Sequence, residues 1–176
     1  MYKPVEAIEV RIWGQKVGAV ALDPNLRFYV FEYEPNFVKT GIELAPLTMP
    51  LAKASEPFVF TDLPEQTYKR LPALLADALP DDFGNTLING WMAAQGVERD
   101  AVTALDRLAY MGVRSMGALE FKPAIGPEAK DSTAIALADL VEGARRAVRG
   151  DLGSDASARA VLSQIVSVGT SAGGAR

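Results

Sequence analysis

Ala7-Ile8-Glu9-Val10-Arg11-Ile12-Trp13-Gly14-Gln15-Lys16-Val17-Gly18-Ala19-Val20-Ala21-Leu22 is the stretch on which the fold turns. Ile8, Val10 and Ile12 alternate with Glu9 and Arg11, the period of a strand with one buried face. Trp13-Gly14-Gln15-Lys16 supplies a turn, and Val17 to Leu22 offers a returning strand. Asp23-Pro24-Asn25 then interrupts the pattern, because proline fixes φ and Asx side chains favour turns. Arg27-Phe28-Tyr29-Val30-Phe31-Glu32-Tyr33 reads as a third strand, rich in the aromatic and β-branched residues that suit a pleated surface. Three strands joined in series predict an antiparallel meander. Pro46 and Pro50 bracket Leu47-Thr48-Met49, which reads as an extended segment at the sheet edge.

From about Tyr68 the period changes. Leu71, Leu74, Leu75 and Leu79 recur at helical spacing up to Pro80. Asp81 or Asp82 caps a further helix with Leu87, Ile88, Trp91 and Met92 on one stripe, and Gly96 follows its last turn. Ala101 to Met111 predicts another helix, bearing Val102, Leu105, Leu108 and Ala109. Gly112 to Gly117 is a glycine-bounded connection, and Ala118-Leu119-Glu120-Phe121 a short strand. The expected architecture is therefore α+β: a small antiparallel β-sheet or partial barrel subdomain followed by a helical subdomain. Its N-terminal subdomain spans 1–121, with the sheet within 5–60 and helices within 68–111. Residues 122–131, with Pro123, Gly126 and Pro127, have no apolar period and form the expected linker. Residues 132–176 are expected to form helices leading into a glycine-rich terminal loop.

Composition removes several chemistries. Among the 176 residues there is no cysteine and no histidine, which excludes disulfides, thiolate catalysis and Ser-His-Asp triads. The formal net charge is −4, against a general nucleic-acid binder with a basic face. Hydrophobic residues make up 49%, enough for a sizeable core. No apolar run reaches the length of a membrane span and the N-terminus shows no signal-peptide core, so a soluble, cytoplasmic chain without membrane contact is expected.

Four features could carry chemistry. Gly169-Thr170-Ser171-Ala172-Gly173-Gly174-Ala175-Arg176 could form an anion nest, or be a flexible tail. Asp77, Asp81 and Asp82 offer oxygen ligands for a divalent cation, although Asp81 and Asp82 are also suited to cap a helix. Trp13, Phe28, Tyr29, Phe31 and Tyr33 could stack on nucleobases, but the local charge favours a core or partner-facing role. Arg145, Arg146 and Arg149 sit where a helix dipole stabilises cations.

Taken in order, the segments resemble a known family. Val17-Gly18 in a strand pair is followed by Phe28-Tyr29-Val30-Phe31-Glu32-Tyr33, and then by Leu44-Ala45-Pro46-Leu47-Thr48-Met49-Pro50-Leu51. Next come Leu71-Pro72-Ala73-Leu74-Leu75-Ala76-Asp77-Ala78-Leu79-Pro80-Asp81 and the run from Leu105 through Gly112-Val113-Arg114-Ser115-Met116-Gly117 to Leu119. This order resembles the N-terminal region of HipA-type toxins, the serine/threonine protein kinases of bacterial toxin–antitoxin systems. In that family the segments lead into a glycine-rich loop of the form Ser-x-x-Gly-x-x-x-Lys, whose start Ser171-Ala172-Gly173-Gly174-Ala175-Arg176 matches.

The resemblance implies ATP and Mg2+ as cofactors of the complete kinase, with neither bound tightly by this portion alone. It implies Ser171, Gly173 and Gly174 as nucleotide-binding residues and Ser171 as the site of inactivating autophosphorylation, with Thr170 an adjacent alternative. No catalytic residue and no metal ligand is expected within the chain, because the loop lysine and the family's catalytic acids fall after Arg176. A kinase ending inside its nucleotide loop is expected to be inactive alone. The implied partners are a HipB-like helix-turn-helix antitoxin and the C-terminal kinase lobe, with no direct nucleic-acid binding. The alternative is a stand-alone, non-catalytic lobe acting as an antitoxin-like binding module for a separate kinase chain. Such modules are shorter and lack the helices after Lys122.

Overall fold

The computed structural model describes residues 2–115 and 117–126. Its sheet is built from β1 (Ala7–Ile12), β2 (Gln15–Leu22), β3 (Tyr29–Tyr33) and β4 (Leu119–Lys122). The order is β3-β2-β1-β4, with every neighbouring pair antiparallel. Among the described residues the sheet is open, with β3 and β4 at opposite edges. Alternation in β1 buries Ile8, Val10 and Ile12 on one face. Trp13 (φ 50°) and Gly14 (φ 76°) make a two-residue left-handed turn between Ile12 and its partner Gln15. Such a turn matches the strand twist, so β2 starts two residues earlier than the hydrophobic pattern alone suggests. Val10 pairs with Gly18 but Arg11 with Lys16, so Val17 is the extra residue of a bulge. The turn after β2 is an Asx turn: Oδ1 of Asp23 accepts from the amides of Asn25 (2.8 Å) and Leu26 (2.9 Å).

The segment from Pro35 to Phe60 carries α1 (Pro35–Val38), a 3-10 turn over Leu51–Lys53, and one isolated bridge between Phe31 and Phe58. Leu47-Thr48-Met49 is not an extended edge segment. The amides of Thr48 and Met49 both turn back to the carbonyl of Ala45 (3.2 and 2.7 Å), which leaves Leu47 96% exposed and Met49 fully buried. The hydroxyl of Tyr33 donates to the Met49 carbonyl at 2.9 Å and anchors this turn on the core.

One helix through Leu71 and Leu79 is likewise replaced by two single turns, α2 (Glu65–Tyr68) and α3 (Ala73–Ala76). Lys69 (φ 51°) and Arg70 (φ 65°) are left-handed and end α2. Pro72 then starts α3, because its ring would clash inside a continuous helix. Leu71 and Leu75 are still buried, so the apolar spacing reports burial while the backbone between them is broken.

The long helices follow the sequence pattern more closely. α4 (Asp82–Ala93) is capped by Asp81, whose carboxylate accepts from the Gly84 amide at 2.8 Å. It buries Leu87, Ile88 and Met92. α5 (Ala104–Met111) begins at Thr103 with a capping box completed by Asp106, and packs against β1 and β4. Burial of a large apolar side chain such as Leu105 or Leu108 stabilises by about 1.5–3 kcal/mol. β4 returns to the far edge of the meander, pairing Phe121 with Val10. The sheet therefore extends beyond the first sixty residues. Lys122 closes β4, and the Ile125 amide still donates to Ala109 at 3.0 Å, so the chain stays attached to the core inside the expected linker. The rest of that linker and residues 132–176 lie outside the described residues.

Candidate functional site

An open cleft of about 1200 Å³ lies between the β2–β3 end of the sheet and the helical half. Leu22 and Tyr29 form its sheet side, α2 and the left-handed Lys69-Arg70 pair one flank, and α4 with the start of α5 the other. Its walls are largely polar. Asn85 and Asn89 are four residues apart on α4, so both amides face the same way, and they meet Arg107 of α5. Nη1 of Arg107 donates to Oδ1 of Asn85 at 2.9 Å and Nη2 to Oδ1 of Asn89 at 3.1 Å. Nδ2 of Asn85 donates to the Pro80 carbonyl at 3.1 Å, which fixes the orientation of that amide. The half-buried Arg107 guanidinium has its pKa lowered by burial first and by the charge of Arg99 second, with Asp106 acting in the opposite sense.

The flank at α2 is organised by Arg70. It pairs with Glu65 at 2.8 Å, donates to the Arg27 carbonyl at 3.3 Å, and lies 5.9 Å from the Phe28 ring centroid. Beside Arg70, whose carbonyl accepts from the Tyr29 amide at 3.3 Å, the Tyr29 hydroxyl is raised in pKa chiefly by burial, while its contacts with the Ala104 main chain and Thr103 act against that shift.

The residues expected from sequence fall in different places. Ser171, Gly173, Gly174 and the neighbouring Thr170 lie outside the described residues, as do Arg145, Arg146 and Arg149. Asp81 is a helix cap and Asp82 occupies the first turn of α4, while Asp77 ends α3. Among the described residues no group of three or more acidic side chains is placed to hold a metal ion. Tyr29, Phe31 and Tyr33 are buried, and Tyr33 meets Phe31 and Phe58 edge-on at 4.9 and 5.8 Å between ring centroids. They belong to the core. Trp13 alone of the five aromatics is well exposed, at the tip of the β1–β2 turn. Sequence reading missed the Asn85–Asn89–Arg107 arrangement. Its one local signal was the i, i+4 asparagine pair on the polar side of α4.

The open meander closed by a returning β4, the capped α4–α5 pair and the polar cleft between them define a small α+β lobe. The family model for the HipA N-terminal domain matches residues 8–122, which takes in all the described elements but for the first residue of β1, and the chain belongs to that family. No curated protein and no solved structure matches the chain. Among the described residues no helix is long and apolar enough to cross a membrane.

Proposed function

We propose that this chain is the N-terminal portion of a HipA-like toxin kinase. When complete, that protein transfers the γ-phosphoryl group of ATP to a serine or threonine of a target protein in the cytoplasm, and a HipB-like helix-turn-helix antitoxin restrains it. The observation that carries the reading is the family match over residues 8–122. The matched segments run on, in the order of the resemblance, toward Ser171-Ala172-Gly173-Gly174. On this reading ATP and Mg2+ are bound by the terminal loop and the C-terminal lobe together. The described lobe would supply a wall and a partner surface; three of its carboxylates are already engaged, Asp81 on the cap of α4, Asp106 on Thr103 and Val5, and Glu65 on Arg70. Ser171 is the autophosphorylation site and Gly173 and Gly174 the backbone donors to phosphate.

The test is the product of the native locus, sized by intact mass and incubated with [γ-32P]ATP and Mg2+. The expected result is a species well above 18.8 kDa that labels itself, with labelling lost in Ser171→Ala. A native product at 18.8 kDa that transfers no phosphate would overturn it in favour of the stand-alone binding module.

A further inference from the structure

The cleft holds an arrangement that the kinase reading does not use. Arg107 makes no ion pair among the described residues, and its two side-chain partners are the neutral amides of Asn85 and Asn89. Arg99 lines the same cleft, is likewise without an ion pair there, and bears on Arg107 as a like charge. Amide oxygens orient a guanidinium fork without neutralising it. Asp106 offsets only part of this, since its carboxylate is bonded to Val5 and Thr103, and holding a partly desolvated cation beside a second one is eased by a further counter-charge. An oxyanion reaching both arginines from solvent satisfies the free N–H groups and cancels the repulsion, and the planar fork suits a carboxylate.

The remaining walls narrow the choice. Glu65, Asp82 and Asp100 line the same cleft, and the whole chain is net −4. Lys69 and Arg70 line the cleft too, but Arg70 is paired with Glu65, so a polyanion such as a nucleic acid meets more repulsion from these carboxylates and the net-negative chain than a single negative group seated on the arginines does. Leu22, Leu79 and Val102 offer apolar contact in the same cleft, and a cleft of about 1200 Å³ admits several residues of extended chain. We propose that the cleft binds a peptide segment of a partner protein through one aspartate or glutamate side chain flanked by uncharged residues, with Arg107 as the principal contact and Arg99 as the second. The site as proposed is built from residues between Leu22 and Arg107 alone, so it stands or falls independently of the kinase assignment.

The experiment is an NMR titration of the 176-residue chain, following the Nε–Hε signals of Arg107 and Arg99. The probes are acetyl-Leu-Asp-Leu-amide, its Asn counterpart, inorganic phosphate and oligothymidylate. The aspartyl peptide is expected to move both signals saturably and the asparaginyl peptide to leave them in place. Arg107→Gln should weaken binding about tenfold or more and the exposed Arg99→Gln about threefold, as loss of charge-assisted contacts predicts. Should Arg107→Gln fail to fold, the wild-type titration and Arg99→Gln decide the matter. Equal shifts from both peptides, no shift from either, or saturation by phosphate or oligothymidylate at lower concentration than the peptide overturns the proposal.

Discussion

The main-chain amide of Val5 donates to Oδ1 of Asp106 at 2.8 Å, across 101 residues of chain. The other carboxylate oxygen, Oδ2, accepts from the amide and the hydroxyl of Thr103, both at 2.8 Å. Asp106 is fully buried, and it ties the entry to β1 to the first turn of α5. A buried carboxylate is tolerated here because donors meet both its oxygens and the helix N-terminus favours negative charge.

Asp106→Asn tests that junction. The amide nitrogen of asparagine must face either the Val5 donor or the Thr103 donors, so one buried pair is lost whichever way it turns. The expected cost is about 2–3 kcal/mol, the range for leaving a buried polar group unpaired beside a lost charged hydrogen bond. Urea unfolding followed by circular dichroism reads it as a lower midpoint at unchanged slope. A midpoint within error of wild type would show that the N-terminal arm is not anchored through this residue.

Gly18 is the second point at which one atom decides the fold. It sits at the bulge, paired with Tyr33, and a Cβ there would run into the Glu32 carbonyl and stand 2.8 Å from Cζ of the fully buried Phe31. The obstacle is largely the backbone of β3, which cannot step aside without breaking its ladder with β2. Gly18→Ala is expected to destabilise by about 3 kcal/mol or more, in the range of overpacking with backbone displacement. Gly41→Ala is the informative contrast, because a Cβ there meets nothing within 4 Å and only its φ of +71° is unfavourable. Its cost should be about 1 kcal/mol. If the two variants melt together, the close approach of β2 to β3 is not what requires glycine.

These residues also show where sequence reading stops. The alternation of Ile8, Val10 and Ile12 and the cap at Asp81 are local rules, and each is legible because the physics that enforces it acts within a few residues, whereas the capping box of Thr103 and Asp106 went unread and the helix was begun three residues early. The pairing of Phe121 with Val10 is not local. A short apolar strand carries no mark of which edge it will join, so β4 could be named but not placed. Between Tyr68 and Leu79 the leucine spacing was right about burial and wrong about continuity, because Pro72 and the left-handed Lys69 and Arg70 interrupt the helix while its buried face persists. The cleft was legible only in fragments. Asn85, Asn89 and Arg107 are ordinary polar residues until α4 and α5 pack side by side.

Alkaline pH should find the tyrosines. Tyr2, Tyr29, Tyr33 and Tyr110 are all raised in pKa, with burial the largest cause in each. Tyr33 is pushed from 10.0 up to about 12, by burial first and by the Glu43 charge second. A phenol raised in the folded state keeps its full contribution below the unfolded value and loses it as pH climbs toward the folded one. Stability should therefore be flat in this respect up to about pH 10 and fall between 10 and 12. Thermal melts across that window are expected to drop by about 5 °C or more, a shift of a size expected for losing roughly a kcal/mol in a small domain. Tyr33→Phe should flatten part of the decline, at the cost of the hydrogen bond to the Met49 carbonyl. A wild-type melting temperature that holds steady to pH 12 would rule the mechanism out.

Tyr110 separates the phenol from its ring. It is fully buried, its hydroxyl meets no hydrogen-bond partner among the described residues, and its ring stands edge-on to Trp91 at 5.1 Å with Arg114 5.5 Å from its centroid. The ring contacts survive in phenylalanine, whereas the stranded hydroxyl does not. Removing a buried group that has lost its water without gaining a partner should stabilise, so Tyr110→Phe is expected to gain about 1 kcal/mol at neutral pH. It should also remove one of the raised phenols, so the gain over wild type widens above pH 10, where the buried tyrosines begin to oppose folding. Denaturant unfolding at pH 7 and at pH 11 reads both effects. A variant less stable than wild type at pH 7 would mean that the hydroxyl has a partner in solution, and a difference that does not grow with pH would mean that Tyr110 stays protonated through the unfolding transition.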